Sequence, residues 1–236
     1  MANPYFQFKQ FRVVQDRCGM KVCTDACIFG AYTKMPGAGT ILDIGTGTGL
    51  LSLMLAQQHP DARIDAVEVD KEAIEQAREN VAASPWKDRV FVHHTPVQDY
   101  ASRHLYDLII CNPPFYPDHL RSADPQRRQA FHQDSIRFPE LIEAVRKFLA
   151  PNGIFSLLLP SRQAEEFNFL AAKAGLYIQQ ELSFFEHENS GQYRTVSFFG
   201  LRDTPEPVRE KLIIRGEDGR YSSAFQQLLR PYYTIF

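Results

Sequence analysis

A chain of 236 residues with 44% apolar side chains can build one large α/β domain or two small ones. Its formal net charge of −2 excludes a surface that binds nucleic acid as a whole, so any such contact must come from local basic patches. No apolar run is long enough to span a membrane, and the opening "MANPYFQFKQ" lacks the apolar stretch of a secretory signal; the expectation is a cytoplasmic protein without a membrane partner.

Taken in chain order, the first 35 residues stand apart as an N-terminal extension. Phe6, Phe8, Lys9 and Arg12 mix aromatic and basic character there. They suit contact with RNA bases, which makes Phe8 and Lys9 candidate substrate-binding residues, or simple pairing as a hairpin. The cysteines Cys18, Cys23, Cys27 and Cys111 are expected as reduced thiols. Cys23 and Cys27 are spaced to share a helical face, but a structural zinc site needs four ligands in a tighter arrangement. No metal is expected.

From residue 36 to 203, strand and helix signals alternate. "TILDI" reads as a buried strand and "GLLSLMLAQQH" as the helix after it. "RIDAVEV" is the next strand, and Asp70 can cap the helix "KEAIEQARENVAAS". "RVFVHH" and "YDLIIC" are further strands, "PELIEAVRKFLAPNG" a helix, "IFSLLLP" a strand, and "AEEFNFLAAKAGL" a helix stopped at Gly175. "YIQQELSFFE" and "YRTVSFFGLR" close the core as a strand pair, and residues 204–236 form a C-terminal elaboration. Such alternation predicts a doubly wound, Rossmann-like α/β domain with helices on both faces. Ligands bind outside the carboxyl ends of the strands in such sheets. The loops after "TILDI", "DAVEV" and "LIIC" are therefore the candidate site.

"LDIGTGTGLL" places Gly45, Gly47 and Gly49 between a strand and a helix. A tight turn seldom needs three alternating glycines; close approach of a ligand to backbone does. The dinucleotide fingerprint has its third glycine one position later, where Leu50 stands here. Asp43 precedes the loop, and its carboxylate suits a ligand carrying an ammonium group better than a pyrophosphate. Glu68 ends the second strand, the position from which an acid accepts ribose hydroxyls in nucleotide-binding α/β folds. A merely solvated acid is the plainer reading of that residue taken alone.

"CNPPFYPD" ends a buried strand on Asn112-Pro113-Pro114-Phe115. Asn-Pro is an ordinary turn signal. It also meets a chemical need. The amine of a nucleobase or carboxamide is a poor nucleophile because its lone pair is delocalised. Two acceptors, the Asn112 side-chain oxygen and the Pro113 carbonyl, would favour a pyramidal nitrogen and stabilise its developing positive charge. The prolines fix φ and remove competing donors. Phe115 offers a ring for stacking, worth about 1–3 kcal/mol. Tyr116 adds a second aromatic side chain.

Asp43 to Gly49 resembles motif I of class I S-adenosylmethionine-dependent methyltransferases, and Asn112 to Phe115 resembles motif IV of those acting on amino groups. The resemblance implies a seven-stranded, mostly parallel sheet with an antiparallel last strand, and S-adenosylmethionine as cofactor. It places Val69 beside the cofactor adenine. An acid usual after the third strand is replaced here by Pro96, next to Val97. "FQFKQFRVVQDRCGMKVCTDACIFGAY" and "KLIIRGEDGRYSSAFQQLLRPYYTIF" at the two ends are similar to the bacterial tRNA1(Val) (adenine-37) N6-methyltransferase family, so the resemblance covers nearly the whole chain. It implies a tRNA substrate and places Lys21, Thr24 and Asp25 near the methionine end of the cofactor. Thr24-Asp25 also reads as a helix cap. Methyl transfer to guanine N2 of ribosomal RNA or to glutamine N5 of a protein is the alternative, as is an RNA-binding protein that keeps the cofactor loop without catalysis. Arg121, Arg127 and Arg128, with His119 and His132, follow the Asn-Pro-Pro-Phe turn. They suit pairing with RNA phosphates, or a plain solvated loop. A monomer is expected.

Overall fold

The computed structural model describes residues 3–114 and 136–236. A hairpin, β1 (Tyr5–Gln7) and β2 (Arg12–Val14), opens the chain. Then follow α1 (Thr24–Tyr32), β3 (Thr40–Ile44), α2 (Leu50–Gln58), β4 (Arg63–Glu68), α3 (Lys71–Ala82), β5 (Val90–His94) and β6 (Tyr106–Cys111). After residue 135 come α4 (Phe138–Phe148), β7 (Leu149–Pro160), α5 (Ser161–Lys173), β8 (Tyr177–Phe185), β9 (Arg194–Gly200), β10 (Val208–Ile213) and α6 (Ser223–Leu229).

The main sheet runs β10-β8-β9-β7-β6-β3-β4-β5. All its pairs are parallel except those of β9, which runs antiparallel to both β7 and β8. The α/β class and the antiparallel strand closing the core agree with the sequence reading. The strand number is eight rather than seven, because Val208–Ile213 of the C-terminal segment pairs with β8 and extends the edge.

The central strands are continuous apolar runs, as burial on both faces demands. Ile41, Ile64, Leu108 and Ile110 face one core with α1 and α2; Leu42, Tyr106, Ile109 and Phe155 face the other with α4 and α5. The terminal segments close over the first core. Phe8 is fully buried and bridges to Tyr233, beside Phe11, Phe225 and Tyr232. Lys9 donates from Nζ to the carbonyls of Arg230 at 2.6 Å and Phe236 at 2.7 Å. Phe8 and Lys9 therefore hold the two chain ends together; this corrects the assignment of Phe8 to substrate, since a ring with no exposed surface cannot stack on RNA, while Lys9 remains exposed. Asp70 caps α3 as expected, accepting from the Ala73 N–H at 2.7 Å. The cap of α1 is Cys23, without a side-chain bond, rather than Thr24 or Asp25.

Candidate active site

A cleft of about 1190 Å³ opens at the carboxyl ends of β3, β4, β5 and β6. Gly45, Gly47, Glu68, Val69, Pro96, Val97, Asn112, Pro113 and Pro114 all line it. Loops scattered over some 70 positions of sequence thus converge at the strand ends.

The glycine loop turns through φ values of 71° at Gly45, 55° at Gly47 and 82° at Gly49. A β-carbon on Gly45 or Gly47 would meet nothing within 4 Å, so both present bare backbone to open space. Gly49 instead packs on Ala77 and starts α2, and does not line the cleft. Asp43 lies beneath the loop, fully buried. Its Oδ2 accepts from Thr46 Oγ at 2.6 Å and Ser52 Oγ at 2.7 Å. Its Oδ1 is buried without a hydrogen-bond partner among the described residues. Burial raises the carboxyl to about 6, against the two hydroxyl bonds.

Glu68 is fixed by backbone donors. Its Oε2 accepts from Gly47 N at 2.8 Å, tying β4 to the glycine loop, and its Oε1 accepts from Val69 N and Asp70 N at 2.8 and 3.0 Å. A carboxylate has about four acceptor positions; Oε1 already accepts two N–H groups and Oε2 one, so Oε2 keeps capacity for a ligand hydroxyl. Val69, 44% exposed, adds an apolar wall. Beyond Pro96 and Val97 the cleft is closed by Gln98, Ile136, Arg137 and Glu140, with Gln98 Nε2 3.4 Å from Glu140 Oε2. These residues went unnoticed in the sequence. Their one local signal is the Arg137–Glu140 spacing that caps α4.

Asn112 follows β6, beside the end of β3. Its Oδ1 is buried with no hydrogen-bond partner among the described residues. An unpaired buried carbonyl oxygen costs about 1–3 kcal/mol, so a fold keeps one where a ligand completes it. Pro113 is buried and Pro114 exposed at the cleft wall. Phe115, Tyr116, His119, Arg121, Arg127, Arg128 and His132 lie outside the described residues.

The opposite wall comes from the N-terminal extension. Cys18, Gly19 and Met20 line the cleft, held where the Arg17 and Cys18 N–H groups donate to Gln76 Oε1. Exposed Lys21 and half-buried Thr24 and Asp25 do not line it. Asp25 instead pairs with Arg194 Nε at 3.0 Å, and Arg194 does line it. Nothing in the sequence near Arg194 marks it; β9 carries it to the site.

The glycine loop, the tethered acid and the orphaned Asn112 oxygen fit a nucleoside ligand bearing an amino-acid tail, the chemistry of S-adenosylmethionine. Comparison with known proteins agrees. The methyltransferase small domain family matches residues 31–171. A Dyadobacter fermentans tRNA1(Val) (adenine(37)-N6)-methyltransferase is 43% identical, with 99% of each chain covered. Proteins of that name from Bacteroides thetaiotaomicron and Pectobacterium carotovorum are 41% and 42% identical, over 99% and 98% of this chain and 98% and 94% of theirs. Among solved structures, a predicted O-methyltransferase from Agrobacterium tumefaciens superposes with a TM-score of 0.67 at 17% identity, covering 88% of this chain and 96% of its own. A glycopeptide N-methyltransferase in complex with S-adenosylmethionine gives 0.55 at 13%, covering 76% and 94%. Those two likenesses show the class I methyltransferase fold.

Proposed function

The chain belongs to the tRNA1(Val) (adenine(37)-N6)-methyltransferase family, and from that premise we propose that it methylates N6 of adenine 37 in the anticodon loop of tRNA1(Val). The observation that carries the chemistry is the buried Oδ1 of Asn112, without a hydrogen-bond partner among the described residues, in the cleft beside the glycine loop. S-adenosylmethionine supplies the electrophilic methyl group.

The residues of this chain do the rest. Gly45 and Gly47 admit the cofactor's amino-acid end against bare backbone, above the buried charge of Asp43. Glu68 accepts from a ribose hydroxyl through Oε2, and Val69 backs the adenine. Asn112 Oδ1 and the Pro113 carbonyl accept from the two N–H bonds of the target amine. They draw its lone pair out of the ring and stabilise the positive charge that develops on nitrogen. Pro113 and Pro114 keep those acceptors rigid. The excess proton then leaves to solvent, so no strong base is required. The base of an anticodon loop is already unpaired, which lowers the cost of presenting it. We read residues 1–236 as one catalytic domain working as a cytoplasmic monomer; the burial of Phe8 against Tyr233 supports the single domain.

The test is mass spectrometry of nucleosides from tRNA1(Val) incubated with the purified protein and S-adenosylmethionine. N6-methyladenosine at position 37 is expected. Methylation of guanine instead, or no product on any tRNA, would overturn the assignment.

A further inference from the structure

We propose that Arg194, oriented by Asp25, binds a backbone phosphate of the RNA substrate and so sets the target base against Asn112. The inference rests on the tRNA reading above and adds a residue to it. The sheet order makes the placement clear. Along the strand ends the sequence is Arg194 on β9, then β7, Asn112 after β6, Gly45 after β3, and Glu68 on β4. Arg194 therefore stands two strand spacings, about 10 Å, from Asn112 on the side away from the glycine loop. Cys111 pairs with Leu157, Leu157 with Ser197, and Pro160 with Arg194. So Arg194 also lies further out along the strands than Asn112. A cofactor seated between Gly45 and Glu68 occupies the other half of the cleft. The half that holds Arg194 is where the nucleotide offering its amine to Asn112 must enter.

The guanidinium is prepared for an anion. Asp25 Oδ2 lies 3.0 Å from its Nε as an ion pair, and the Tyr193 carbonyl accepts from Nη1 at 3.0 Å. The Tyr193 ring lies below it, 5.6 Å from centroid to Cζ. These contacts hold a flexible side chain in one orientation, at low entropic cost to a ligand. A guanidinium presents five donors in a planar fork that matches phosphate oxygens. A second feature adjoins it: Pro160, the register partner of Arg194, is the N-cap of α5 and supplies no side-chain cap. The first turn of this 13-residue helix is not in the cleft lining, so its dipole adds only a general favourable field near β7's end. Asp25, expected from the resemblance near the cofactor, takes the part of positioning Arg194 instead.

The test compares Arg194→Gln and Arg194→Lys with the unaltered enzyme on tRNA transcripts at several salt concentrations, with cofactor affinity measured by calorimetry. For Arg194→Gln the KM for tRNA is expected to rise about tenfold, with kcat within about twofold and cofactor affinity unchanged. The slope of log KM against log salt should fall by about one, the signature of one lost phosphate contact. Arg194→Lys should restore the slope but not the full KM, since the point charge remains and the fork does not. A purely structural arginine would leave the slope alone. An unchanged KM and slope overturn the proposal, and so does a loss that appears in cofactor affinity. If the unaltered enzyme methylates tRNA while these results come back negative, only this inference falls; if it methylates nothing, the functional reading falls first.

Discussion

Two buried aspartates on neighbouring parallel strands have opposite fates. Asp43 on β3 and Asp65 on β4 are 0% and 1% exposed. The register sets Asp43 against Ala66 and Asp65 against Leu42, so the two side chains point to opposite faces of the sheet. Asp65 is satisfied. Arg63 donates to both of its oxygens, at 3.0 and 3.1 Å, His93 Nε2 lies 2.8 Å away, and the Tyr106 hydroxyl donates at 3.1 Å. Burial works against its charge, but the bonds from His93 and Arg63 outweigh it and hold the carboxyl at about 2. Asp43 has two hydroxyl donors on one oxygen and, among the described residues, none on the other, and burial drives it up to about 6. One sheet thus completes an acid for the fold and leaves another less complete beneath the glycine loop, out of the cleft lining itself. Asn112 belongs with the second kind. Other buried polar atoms away from the cleft, such as Gln57 Oε1 and Asn168 Oδ1, also lack a partner among the described residues, so it is the position of Asn112 in the cleft lining that points to a ligand.

The sharpest way to break that comparison is Asn112→Ala. If the oxygen is kept for the reaction, kcat should fall about a hundredfold to a thousandfold, the usual cost of deleting one transition-state partner. Cofactor affinity should change by less than about threefold. Single-turnover assays and calorimetry separate the two. Turnover close to that of the unaltered enzyme would mean the orphaned oxygen has no part in the chemistry.

Asp65→Ala probes the other side. It leaves the Tyr106 hydroxyl and His93 without their acceptor, and should cost about 2–3 kcal/mol in urea denaturation. S-adenosylmethionine affinity per folded molecule should stay the same. A variant as stable as its parent would show that the network contributes nothing net. The sign of the acid response follows from the depressed carboxyl. Its stabilisation is present above the unfolded value of about 3.9 and is lost as pH falls toward about 2.

How far the sequence showed this contrast depends on how local the signal is. The glycine loop was legible because three alternating glycines exceed what a tight turn needs; Glu68 and the Asn-Pro-Pro turn, each with a plainer reading alone, stood out only in combination with it. The strands were legible as apolar runs. Phe8 was not, because "FQF" in a short hairpin looks the same whether it faces solvent or core. Its burial depends on Tyr232 and Tyr233, more than 220 positions away. The edge strand β10 was hidden for a related reason. "VREKLI" is half polar, with its first four residues exposed, and pairs along the edge that β8 offers. Arg194 and Glu140 reach the cleft through topology alone.

The smallest expected effect tests Asp43 directly. In the ligand-free protein its carboxyl is raised to about 6 above an unfolded value of about 3.9. A raised acid favours the folded state fully below the unfolded value, and that contribution is lost as pH rises through about 6. Ionised Asp43 is thus a cost to the empty fold at pH 8, and if the proposed role holds, a cofactor ammonium would offset it on binding. Asp43→Asn should accordingly make the empty protein more stable at pH 8, by on the order of 2 kcal/mol, while weakening S-adenosylmethionine about tenfold. Titration calorimetry on the unaltered protein should show constant affinity above about pH 7. Below about 6 the affinity should fall, since each binding event must then release the Asp43 proton. Asp43→Asn should flatten that profile. A flat profile in the unaltered protein, or a variant that loses both stability and affinity, would place Asp43 with Asp65 as an acid kept for the fold alone.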